Sequence, residues 1–75
     1  MGATKIRLKI LELKDPATVV TKALKSITDN LKVEAAVEVT NNSTYVTLSG
    51  STSNVTKARR LLSLEVKLKG GRVKF

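Results

Sequence analysis

Stretches of this chain alternate apolar and polar residues with a period of two, and between them lie stretches with helical spacing. The two periods require different elements, so their order constrains the fold more than composition does. In residues 4–10, Ile6, Leu8 and Ile10 face one way and Lys5, Arg7 and Lys9 the other. This is the pattern of a half-buried strand. Leu11 and Leu13 then fall on the opposite parity, which predicts a bulge or the strand's end near Ile10. Asp15 and Pro16 open a helix, as N-cap and first helical residue. Val20, Leu24, Ile27 and Leu31 follow at helical spacing, and Asn30 is expected as a left-handed stop.

From Val33 the period returns to two. Val33, Ala35, Val37 and Val39 are expected inward, with Glu34, Glu38 and Thr40 outward. Asn41, Asn42 and Ser43 supply hairpin turn chemistry, because Asn tolerates positive φ. A turn at Asn41-Asn42 pairs Val37 with Val46, and one at Asn42-Ser43 pairs Val39 with Val46. Both keep the apolar faces together. Residues 51–62 read as a second helix, capped by Ser51, Thr52 or Ser53 and buried along Val55, Ala58, Leu61 and Leu62.

At residues 65–75, Val66 and Leu68 alternate with Lys67 and Lys69, then Gly70-Gly71 precedes Arg72, Val73, Lys74 and Phe75. Two glycines between alternating runs fit a two-residue hairpin turn. A phosphate-cradling loop would instead need a helix after the glycines. The hairpin would pair Leu68 with Val73 and Val66 with Phe75, and would set Lys69 against Arg72 and Lys67 against Lys74. The expected fold is therefore α+β, a single domain over residues 1–75. Its two layers would be ferredoxin-like, β-α-β-β-α-β with a short extra C-terminal hairpin strand. Both helices would lie on one face of an antiparallel sheet.

The chain has no Cys or His, which excludes disulfides, imidazole ligands and Ser-His or Cys-His nucleophile systems. Glu12, Asp15, Asp29, Glu34, Glu38 and Glu65 form no metal-like cluster in sequence, so no cofactor and no enzymatic activity are expected. No stretch approaches the roughly 18 apolar residues of a membrane span. The opening residues do not read as a signal peptide. A soluble, intracellular monomer requiring no partner is the expectation.

Fourteen Lys and Arg against six acids give a net charge of +8, which suits either an anionic partner or a solubility surface. In the expected sheet, Lys5, Arg7, Lys9, Lys67, Lys69, Arg72 and Lys74 would share one outer face and could hold nucleic-acid phosphates without reading sequence. Tyr45 is the only aromatic expected there, toward the acidic Glu34/Glu38 strand.

Residues 46–62, VTLSGSTSNVTKARRLL, resemble the strand-Gly-helix passage of BON domains, with Leu48 and Gly50 in the characteristic places. The whole chain resembles a computationally designed domain, and that resemblance implies a stable fold without evolved activity. It lacks His, Cys, Trp and Gln, opens a helix with Asp-Pro and closes hairpins with two-residue turns.

Overall fold

The computed structural model describes residues 3–74. The elements run β1 (Ala3–Leu11), α1 (Pro16–Asn30), β2 (Val33–Thr40), β3 (Ser43–Ser51), α2 (Thr52–Leu68) and β4 (Arg72–Lys74). The strands form one sheet in the order β2-β3-β1-β4, and every neighbouring pair is antiparallel. The architecture is α+β, with both helices packed on one sheet face.

That face is built by the expected alternation. Leu8 and Ile10 of β1, Val46 and Leu48 of β3 and Val33 of β2 are buried against Val20, Ala23, Leu24 and Ile27 of α1. From α2 come Val55, Ala58, Leu62 and Val66. Ile6, Ala35, Val37 and Val73 extend the core as half-buried residues. Val39, expected inward, is 62 % exposed, because it lies near the hairpin end of edge strand β2. Leu61, expected on the buried side of α2, is also exposed.

The β2–β3 hairpin takes the first of its two expected registers. Thr40 pairs with Ser43 and Val37 with Val46. Asn41 and Asn42 both have positive φ, +48° and +64°, as a two-residue turn of the primed kind demands. Of the two outcomes expected near Ile10, the strand's end is the one observed: β1 carries no bulge and ends at Leu11, opposite Arg72. Glu12, at φ +64°, then turns the chain so that Leu13 packs against the core. Asn30 does not stop α1 in a left-handed conformation. It is the last helical residue, its Nδ2 donates to the Ser26 carbonyl at 2.8 Å, and Leu31 leaves in an extended conformation.

The C-terminal hairpin expected at Gly70-Gly71 does not form, and residues 65–69 are not a strand. α2 instead continues through Leu68. Five alternating residues also fit a helix, and here Val66 lies one turn beyond Leu62 on the same buried row. Glu65, Lys67 and Leu68 are good helix formers, which favours continuation.

The glycines close that helix. The Gly70 N–H donates to the Lys67 carbonyl at 3.0 Å and the Gly71 N–H to the Val66 carbonyl at 2.9 Å. With Gly70 at φ +90°, this is the paired 5→2 and 6→1 bonding of a Schellman cap. Gly71 is needed for a different reason: a Cβ there would lie 2.5 Å from Leu13 Cγ and 2.9 Å from the Leu11 carbonyl oxygen. The chain then returns as β4 alongside β1, where Val73 pairs with Ile10 rather than Leu68. Phe75, expected opposite Val66, lies outside the described residues.

Truncation separates the helix from the hairpin. Val66 is fully buried while Leu68 is 78 % exposed, although a strand would turn both the same way. Val66→Ala should lower stability by about 1–3 kcal/mol. Leu68→Ala should change it by no more than about 0.5 kcal/mol. Urea unfolding of the two variants checks this, and similar losses at both positions would contradict the helix.

Candidate functional site: the open sheet face

Since both helices occupy one side of the sheet, the other side is uncovered, and strand parity decides what it displays. β1 contributes Lys5, Arg7, Lys9 and Leu11, and β3 contributes Tyr45, Thr47 and Ser49. β2 adds Glu34, Ala36 and Glu38, and β4 adds Arg72 and Lys74. Registration arranges these side chains in rows across the sheet. One row runs Glu38, Tyr45, Lys9, Lys74, and the next runs Ala36, Thr47, Arg7.

Five of the seven cations expected on this face are therefore present: Lys5, Arg7, Lys9, Arg72 and Lys74. Lys67 and Lys69 are not among them. Lys67 is in the last turn of α2 and Lys69 is the helix C-cap, both belonging to the helical layer. The reason is the helix continuation described above, which removes the strand that would have carried them.

Two of the five are engaged with acids. Arg7 Nη2 donates to Glu38 Oε1 at 2.7 Å, and the Arg7 guanidinium carbon lies 4.1 Å from the centre of the Tyr45 ring. Glu38 and Tyr45 are cross-strand partners, so one guanidinium can pair with the carboxylate and cover the ring together. Arg72 Nε lies 3.4 Å from Glu12 Oε2. Lys5, Lys9 and Lys74 have no acidic partner within 4.0 Å among the described residues. Lys9 and Lys74 are directly opposed, a placement that costs a few tenths of a kcal/mol in a bare sheet.

Arg7, Lys9, Leu11, Tyr45 and Lys74 line a shallow depression of about 310 Å³ on this face. Its lining combines three cations with the Tyr45 ring and Leu11. Such a surface can attract an anion and cover part of a flat group. No group of His, Cys, Asp or Glu able to hold a metal ion occurs among the described residues.

The start of α2 is the other place where the sequence puts hydroxyl groups near a helix N-terminus. Ser51 Oγ accepts from the Asn54 N–H at 3.3 Å, and the Thr52 hydroxyl lies 2.6 Å from that of Thr4. These hydroxyls serve as cap and strand tie.

The Arg7–Tyr45–Glu38 cluster was the part of the face that sequence reading missed. Its signal was present in the Val37–Val46 register, which places Glu38 opposite Tyr45. No helix among the described residues is long and apolar enough to cross a membrane. No family model matches the chain, and no curated protein matches it.

Both partners of the Arg7–Glu38 pair are more than half exposed, so water screens it strongly. Glu38→Gln should cost no more than about 1 kcal/mol by thermal or urea unfolding. A loss several times larger would mean that the cluster holds the sheet together instead of furnishing its surface.

Proposed function

We propose that this chain is a non-enzymatic α+β domain of the ferredoxin-like arrangement that acts through surface contact. Its open sheet face would hold nucleic-acid phosphates without reading sequence. The strand order β2-β3-β1-β4, with the central hairpin and both helices on one face, supports the fold reading. The functional reading rests on one juxtaposition on the open sheet face: Lys9 and Lys74, with no acidic partner among the described residues, beside a guanidinium-covered Tyr45, and Lys5 further along β1.

The chemistry follows from charge. Each Lys that neutralises a phosphate releases a condensed counterion, so affinity falls as salt rises. Arg7 can exchange Glu38 for a phosphate oxygen, and the Tyr45 ring it uncovers can stack on a base. One aromatic supports contact with a single base, which is too little for sequence readout. Lys67 and Lys69, on the helical layer, take no part.

A second reading keeps the fold and removes the ligand: a computationally designed domain with no evolved activity. The agreement of hydrophobic pattern with element type favours it. The left-handed Glu12 and the exposed Leu61, Leu64 and Leu68 weigh against it, since idealised designs avoid both.

Titration of labelled single-stranded RNA and duplex DNA at two salt concentrations separates the readings. The sheet-face reading expects binding at low salt. For single strands, the log–log slope should be about −2 if three phosphates are contacted. Lys5→Glu with Lys74→Glu should abolish that binding, whereas Lys67→Glu with Lys69→Glu should weaken it far less. Absence of binding at low salt would overturn the proposal, as would equal loss from the two double variants.

A further inference from the structure

α2 carries an apolar row that stays exposed to solvent. Leu61, Leu64 and Leu68 are 43, 59 and 78 % exposed, although the same helix buries Val55, Ala58, Leu62 and Val66 on its other side. Their spacing, three residues and then four, keeps them along one side of the helix. Arg60 and Lys67 each precede one of these leucines and lie along one side of the row, Lys57 heads it one turn before Leu61, and Glu65, one turn beyond Leu61, borders its other side. Glu65 is the only acid in the helix. A depression of about 390 Å³ on the cationic flank is lined by Arg60, Ser63, Leu64 and Lys67, together with Arg59.

We infer that this face of α2 docks an acidic amphipathic helix of another protein. A three-four row of leucines is the seam that one partner helix fills. It is narrower than the broad apolar face of a helix lying in a bilayer, and it carries no aromatic anchor. The flanking charges select the partner. Carboxylates beside the partner's apolar row would meet Arg60 and Lys67, which also steers the encounter. A second copy of this chain would bring the same cations and a net charge of +8 to meet them, so like charge opposes self-association.

The probe is a fluorescent peptide of about 20 residues, long enough for several helical turns. It carries Leu at the two seam positions of each heptad and Glu at the flanking positions on the side that meets Arg60 and Lys67. A control peptide replaces the flanking Glu with Gln. Micromolar binding of the Glu peptide is expected, weakened about tenfold or more in the control and in a Leu64→Ser, Leu68→Ser double variant. Because both leucines are exposed, the variant's thermal melt should match that of the parent, which excludes unfolding as the cause. Lys5→Glu with Lys74→Glu should leave peptide binding intact, so this surface can fail independently of the sheet face. The inference is overturned if the double variant binds as well as the parent. It is also overturned if phosphatidylserine vesicles or a second copy, by sedimentation, occupy the row more tightly than the peptide does.

Discussion

Two helices can cover only one face of a four-stranded sheet, and the rest of this structure depends on that limit. The alternation in β1, β2 and β3 gives each strand one apolar side, and α1 and α2 bury those sides together. Apolar burial of this kind supplies most of the folding free energy in a chain with no disulfide and no metal ligand of the His or Cys type. The opposite side must then tolerate water, so it carries Lys, Arg, Glu, Thr and Ser. The candidate contact surface is a consequence of the core's one-sidedness. Tyr45 fits both demands, since its ring is covered by Arg7 and its position is on the wet face.

The end of α2 decides how that surface is charged. Schellman closure by Gly70 and Gly71 turns the chain after Leu68 and brings it back beside β1. Close packing of Gly71 against Leu13 and the Leu11 carbonyl leaves no room for a side chain at this crossing. As a result Arg72 and Lys74 join Lys5, Arg7 and Lys9 on the sheet, and Lys67 and Lys69 stay on the helical layer. The seven cations expected on one face divide between two surfaces, one flat and partly neutralised by Glu12 and Glu38, the other the end of a helix with exposed leucines.

Much of this was legible from local pattern. Strands at residues 4–10, 33–40 and 44–50, the first helix and the second helix as far as residue 62 follow from the local periodicities. The hairpin faces are legible in the sequence, but two turns fit its register, and the one at Asn41-Asn42 is what places Glu38 opposite Tyr45. Residues 65–69 are ambiguous in sequence because five residues satisfy both periods, and Gly-Gly serves a hairpin turn and a helix cap equally well. What separates the two is the fit of Val66 beneath Leu62 and into the core, a tertiary fact that the local spacing does not contain. The opposition of Lys9 and Lys74 was hidden for the same reason, since it depends on which strand β4 finds.

Solution NMR of the C-terminal segment tests this division most directly. A helix through Leu68 with β4 beside β1 gives contacts between residues three apart across 62–68, and cross-strand contacts joining Val73 to Ile10 and Lys74 to Lys9. Cross-strand contacts between Leu68 and Val73, with extended-chain shifts at residues 65–69, would contradict it and return Lys67 and Lys69 to the sheet face.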